Sequence, residues 1–212
     1  MKVKDGIIGL VVGDALGVPV EFSGKYDRNI DPVTDMREYE THNQPKGTWS
    51  DDSSMTIATM TSIVNKNGID YDDIMNEFIN WCKYDKHTNS DSGRFDIGNT
   101  TIRALTRYSN GTPSLESGGK RERDNGNGSL MRILPLAYLK NIDYNTIENI
   151  SSLTHAHKIS KIACVLYVQI AKSMLENDLE ISEHVELACN KIKEHYNNSQ
   201  ALENFEKYFL MD

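Results

Sequence analysis

Residues 48–55 read TWSDDSSM, and the two adjacent aspartates pose the first chemical question. One acid suffices at the positive end of a helix dipole, and Ser50 or Asp51 can cap a helix that starts there. A second carboxylate beside the first adds repulsion unless a cation removes it. Ser50, Asp51 and Asp52 together present three hard oxygen ligands of the kind taken by a divalent ion such as Mg2+, with the rest of the shell left to water, substrate or distant residues. Capping and metal ligation both fit this spacing.

Four further stretches carry groups able to do chemistry. GDALGVPVEF at 13–22 ends a helical segment at Asp14 and sets Glu21 on the loop just past it, where each acid is either a local hydrogen-bonding partner or a reactive carboxylate. FDIGNTT at 95–101 places Asp96 and Gly98 at a helix start, and an N-cap is the ordinary role for that aspartate. In DNGNGSLMRILP at 124–135, Gly126 and Gly128 leave backbone N–H groups unshielded before a helix, an arrangement suited to phosphate oxygens as well as to a plain turn. Neither the P-loop spacing nor the dinucleotide fingerprint is present. THAH at 154–157 sets His155 and His157 two apart, which excludes the shared helical face of an HExxH zinc site. The nearby KRER run at 120–123 reads as a solvated loop that also suits attraction of an anion.

The elements that must position these groups are helical. Apolar periodicity predicts helices over 3–16, 51–64, 70–84 and 156–176, the last with Ile159, Ile162, Ala163, Leu166, Ile170 and Met174 in register. Shorter helices are expected from TTIRALTRY, around Pro135, and over 143–152, 182–196 and 200–210. Gly9, Gly13 and Gly17 fall on one stripe of the first helix, where another backbone is expected to approach. Residues 18–49 carry Pro19, Gly24, Pro32, Pro45 and Gly47 with no sustained period, and read as one long connection. No alternating strand pattern appears, so the expected class is all-α, one domain over 1–212.

Composition narrows the function. With 212 residues, 38% hydrophobic and 25% charged, the chain can bury a sizeable core. Its net charge of -8 argues against a nucleic-acid or anionic-membrane surface, since both need clustered Lys and Arg. Cys82, Cys164 and Cys189 are far apart and lack CxxC spacing, which points to a reducing compartment, the cytoplasm, rather than to a disulfide or zinc framework. The apolar run Ile7–Val12 is too short for a membrane span, and no signal-peptide cleavage pattern follows it.

Taken in order, GDALGVPVEF, WSDDSSM, DIGNTT, NGNGSLMRILP and the Thr-His pair before a helix bearing Ala163 and Tyr167 resemble the ADP-ribosylglycohydrolase family, which includes the dinitrogenase-reductase-activating glycohydrolases. The resemblance runs from about residue 4 to residue 171. It implies an all-α fold, two Mg2+ or Mn2+ ions, and hydrolytic removal of ADP-ribose from modified protein side chains or small ADP-ribose conjugates. It further implies catalytic roles for Glu21, Asp51 and Asp52, and metal ligation by Ser50, Asp51 and Asp52. Substrate contacts are implied for Asp96, Gly98, Asn127, Gly128, Ser129 and Met131, with His155 shaping the pocket. The family also carries an Asp-x-Asp-Thr metal motif near its C-terminus; the present residues run to FLMD at Asp212 without one, so the second metal site is expected to be incomplete. The alternative expectation on that ground is an ADP-ribose-binding or structural member with impaired catalysis.

Overall fold

The computed structural model describes residues 2–89, 91, 93–197 and 199–209. Among them the secondary structure is nine α-helices joined by loops and 3-10 turns, with no strand and a single isolated bridge between Gly119 and His155, as the missing alternation predicts. The chain divides into two compact units, Met1–Ile97 and Gly98–Asp212. No helix among the described residues is long and apolar enough to cross a membrane. Residues 210–212 of the FLMD stretch lie outside the described residues.

The first unit is built on α1 (Lys2–Gly17), α2 (Lys25–Ile30), α3 (Asp51–Lys66) and α4 (Tyr71–Tyr84). The α3–α4 pair packs through Met55 and Ala58 on one helix and Ile74, Phe78 and Trp81 on the other, all buried. Asn67 turns the chain between them in the left-handed region at φ 51°, a conformation Asn tolerates because its short polar side chain bonds locally. The buried face of α3 is largely hydroxylic. Ser54, Thr56 and Thr59 remain compatible with burial because each donates to the carbonyl four residues back, at 2.8–2.9 Å.

The second unit centres on α7 (Lys158–Glu176), which packs against α6 (Tyr144–Ser152), α8 (Ile181–Tyr196) and α9 (Gln200–Phe209), while α5 (Asn99–Ser109) opens the unit. Ile147, Ile150, Ile162, Val165, Val168 and Ile192 are buried at its core. His157 caps α7, its Nδ1 accepting the Ile159 N–H at 3.3 Å.

Four local expectations change. The innermost line of α7 runs through Ile162, Val165, Val168 and Ser173, one position off the predicted Ala163–Leu166–Met174 register, and Met174 is 49% exposed. Neighbours on several sides cover α7, so apolar residues ring it and periodicity alone does not locate its deepest line. The connection 18–49 contains the short helix α2. The segment around Pro135 is a 3-10 helix, Leu134–Tyr138, and the Asn-Gly stretch enters a 3-10 turn, Asn127–Ser129, in place of an α-helix. At Gly9, Gly13 and Gly17 an added Cβ would meet nothing within 4 Å among the described residues, so no backbone approaches that stripe there.

Candidate functional site

The aspartate pair sits where α3 begins, and the local structure shows how the chain holds it there. Ser50 is the N-cap and accepts the Asp52 N–H at 3.3 Å. Asp14, from the last turn of α1, does the heavier work. Its carboxylate accepts the Ser50 and Ser53 N–H groups at 3.0 Å and their hydroxyls at 2.8 and 2.6 Å. A carboxylate from another element thus satisfies orphan donors of α3, and the helix dipole favours its charge. The chain just before α3 is tied as well: the Trp49 N–H donates to Asn89 Oδ1 at 3.2 Å, its indole to the His87 carbonyl at 3.2 Å, and Asn89 to the Gly47 carbonyl at 3.1 Å. His87 and Lys86 in turn hold the buried Glu77 carboxylate of α4, at 2.7 Å each.

Around that anchored terminus the first unit gathers further acids. Glu21 lies just past the 3-10 turn Val18–Val20, on the loop expected for it. Asp96 does not cap α5; Gly98 holds the N-cap position without a side-chain bond. Asp96 instead adopts φ 56°, and its carboxylate turns back towards Glu21. That left-handed conformation is uncommon outside glycine, although Asp is among the residues enriched there.

The electrostatic result is concentrated negative charge. Burial, then the neighbouring Asp52, Asp96 and Asp14, push the Asp51 carboxyl up to about 9. Burial, then Asp14, Asp96 and Glu21, raise Asp52 to about 7. Burial and the hydrogen bond with Glu21 raise Asp96 to about 6. Among the described residues no Lys or Arg pairs with any of these acids, and His42 is a basic group beside Glu21 and Asp96. Half-buried carboxylates without a cationic partner are held at a cost that a hard divalent ion removes, so the donor set of Ser50, Asp51 and Asp52 fits Mg2+ or Mn2+.

His42 escaped the sequence reading. Its Nε2 lies 2.5 Å from Glu21 Oε2 and 3.9 Å from Asp96 Oδ2, and the three side chains form a cluster able to meet at one point. No motif marks it, since it sits in the aperiodic connection before α3.

In the second unit the Asn-Gly turn is built around His155. Gly128 is obligatory: a Cβ there would come within 2.6 Å of the His155 ring. The ring is fixed on its other edge by Thr154, whose hydroxyl lies 2.8 Å from Nδ1. Burial and the nearby Arg132 guanidinium push the His155 imidazole down to about 3, so it is neutral at physiological pH. The segment carrying it pairs with the glycine loop through Gly119 N–H to the Thr154 carbonyl at 2.9 Å and Ala156 N–H to the Gly119 carbonyl at 2.7 Å. Beside it, a Cβ on Gly118 would lie 2.0 Å from the Ser152 carbonyl oxygen.

Of the expected substrate contacts here, Asn127 is exposed while Gly128 and Met131 are partly exposed. Ser129 is different: it is fully buried, its hydroxyl accepting from Ser151 at 2.9 Å and from the Cys164 thiol at 3.4 Å, so none of its atoms is exposed to a ligand. Arg132, also unmarked in the sequence reading, is fully buried; its guanidinium donates to the Gly128 carbonyl and, at 3.2 Å, to the Ile150 carbonyl. A lone base inside the apolar run LMRILP was the available signal.

Known proteins resemble the chain along most of its length. A family model described as ADP-ribosylglycohydrolase matches residues 1–210, across both units. An ADP-ribosylarginine hydrolase of Pseudomonas putida (strain GB-1) is 31% identical over 159 residues, 73% of this chain and 41% of that protein. An ADP-ribosyl-[dinitrogen reductase] glycohydrolase of Rhodospirillum rubrum is 32% identical over 173 residues, 74% of this chain and 52% of that protein. A solved structure titled as an ADP-ribosylglycohydrolase-related protein complex superposes with a TM-score of 0.62 at 28% identity, covering 80% of this chain and 54% of that one. The chain spans about half the length of the curated relatives it matches. With that family model matching nearly the whole chain, the chain belongs to the ADP-ribosylglycohydrolase family.

Proposed function

We propose that this chain carries the metal-assisted machinery that hydrolyses an N-glycosidic bond of ADP-ribose attached to arginine. Two of its curated relatives are named for an ADP-ribosylarginine and for an ADP-ribosylated dinitrogen reductase. The observation that carries the reading is the convergence of Glu21, Asp51, Asp52 and Asp96, from three separate stretches of chain, into one cluster without a Lys or Arg partner among the described residues.

Asp51, Asp52 and the Ser50 hydroxyl are the residues that would hold the ion. When bound, it supplies a grip on ribose hydroxyls and an acidified water. Glu21 and Asp96 then face a reaction whose transition state is oxocarbenium-like, in which one carboxylate stabilises the developing positive charge and another accepts or delivers the proton. Oxygens of the two carboxylates lie within 4.8 Å of each other, which suits acid and base duties divided over two groups.

ADP-ribose also carries an anionic diphosphate, and the second unit by itself has a basic surface despite the chain's overall charge. The KRER run lines a cavity of about 720 Å3 together with Arg103 and Arg107; Lys120, Arg121 and Arg123 contribute the run's own cations. This supports a diphosphate ligand, and Asn127, Gly128 and Met131 supply the adjoining turn.

The test is release of free ADP-ribose from an ADP-ribosylated arginine peptide in the presence of Mg2+ or Mn2+. Turnover that falls by on the order of 10^2–10^4 in Asp51→Asn and Asp52→Asn supports the proposal. Tight ADP-ribose binding with no turnover under either ion would make the chain a binding module, and the hydrolase reading would be abandoned.

A further inference from the structure

The connection between α2 and α3 does more than span a gap. Its turn Tyr39–Gln44 is closed by the Tyr39 N–H to the Gln44 carbonyl at 2.8 Å and the Asn43 N–H to the Glu40 carbonyl at 3.1 Å. Two residues of the turn, Tyr39 at φ 56° and Asn43 at φ 50°, take left-handed backbone to close it. The tip of the turn is then fastened to the loop that bears Glu21. Thr41 N–H donates to the Pro19 carbonyl at 3.1 Å, and the Thr41 hydroxyl to the Glu21 carbonyl at 2.9 Å.

His42 completes this fastening with its side chain. Its ring packs against Phe22, the residue after Glu21, at 5.9 Å between centroids, and against Phe95, the residue before Asp96, at 5.3 Å. The same ring puts Nε2 2.5 Å from Glu21 Oε2 and 3.9 Å from Asp96 Oδ2. One side chain therefore touches both acid-bearing loops, by ring packing and by hydrogen bonding at once. Phe22 and Asp96 both hold positive φ, 62° and 56°, on either side of the contact. Such conformations persist only where surrounding contacts over-determine them.

We infer that His42 is a positioning residue: it clasps the Glu21 loop to the Asp96 turn and sets the aim of the Glu21 carboxylate. Direct hydrogen bonding explains the 2.5 Å contact better than two ligands on one Mg2+ would, because ligands about 2.0–2.1 Å from an octahedral ion lie nearly 3 Å apart and Mg2+ favours oxygen over imidazole. Loop and carboxylate are pre-set before substrate arrives, which lowers the cost of reaching a productive geometry. The catalytic part of this inference rests on the hydrolase role proposed for Glu21; the clasp itself does not.

Three variants separate the parts of the contact. His42→Phe keeps a ring between Phe22 and Phe95 and removes the donor; His42→Gln keeps a donor and removes the ring; His42→Ala removes both. In the protein without added substrate, His42→Ala is expected to speed amide hydrogen exchange at residues 20–24 by about tenfold or more while α3 exchanges as before. In turnover assays, His42→Phe is expected to lower kcat on the order of tenfold or more with KM nearly constant, and His42→Gln to restore most of the loss. Unchanged exchange at 20–24 in His42→Ala overturns the clasp, and a wild-type kcat in His42→Phe overturns the positioning role. If the unsubstituted chain releases no ADP-ribose, the hydrolase reading fails by that result alone, and the exchange measurement still decides whether His42 holds the loop.

Discussion

The acid cluster of the first unit and the glycine turn of the second are built on opposite principles. Around Asp51, Asp52 and Asp96 the fold leaves like charges facing one another, with two of the acids raised to about 9 and about 7. Around Gly128 it does the reverse. There a buried guanidinium, Arg132, is matched to backbone carbonyls, and a neutral His155 fills the space that the missing Cβ leaves. The first region sets buried carboxyls beside one another; the second directs hydrogen bonds to its own backbone carbonyls.

The contrast breaks most visibly at Arg132. Replacing it by Met removes the donors to the Gly128 and Ile150 carbonyls while keeping much of the volume; the expected loss is about 3–5 kcal/mol in a denaturation experiment. A cost within 0.5 kcal/mol would show that the turn does not depend on this guanidinium.

Much of this was legible beforehand, and the failures have physical causes. The Asp-Asp helix start, the Glu21 loop and the long α7 follow from caps, a Pro-bearing turn and apolar periodicity, and all are present. Asp96 looked like an N-cap because Asp before a helix usually is one; the structure gives the cap to Gly98 and turns Asp96 into the acid cluster. His42 could not be found, since its importance comes from tertiary contacts of an aperiodic connection and not from any spacing. Asp14 was read as a local hydrogen-bonding group; its partners are Ser50 and Ser53, thirty-six and thirty-nine residues away.

A smaller effect sharpens the comparison through pH. Asp51, Asp52 and Asp96 have folded pKa values above their unfolded value near 4, so the folded state binds more protons, and stability present below pH 4 is lost as pH rises through about 6, 7 and 9. Without divalent ions, the chain is expected to be about 2–4 kcal/mol less stable at pH 8 than at pH 5. A flat profile over that range would mean the acids carry no such shifts. His155 runs the other way: its folded pKa lies below the unfolded value, so it withdraws stability only as pH falls below about 6.5. Smaller again, Asp51→Asn removes the cost of taking up a proton on folding and is expected to stabilise the ion-free protein by about 1–2 kcal/mol at pH 8. Destabilisation by Asp51→Asn under those conditions would show that its carboxylate is already compensated within the fold.

The most direct test of the central claim is a thermal melt at pH 8 with and without Mg2+, on the unsubstituted chain and on Asp51→Asn and Asp52→Asn. An ion that binds the folded cluster about a hundredfold above its Kd stabilises by about 2.7 kcal/mol, so the melting temperature of the unsubstituted chain should climb by several degrees and that of each variant should stay put. Equal rises in all three proteins, or no rise in the unsubstituted one, would contradict the assignment of these aspartates as the ion's ligands.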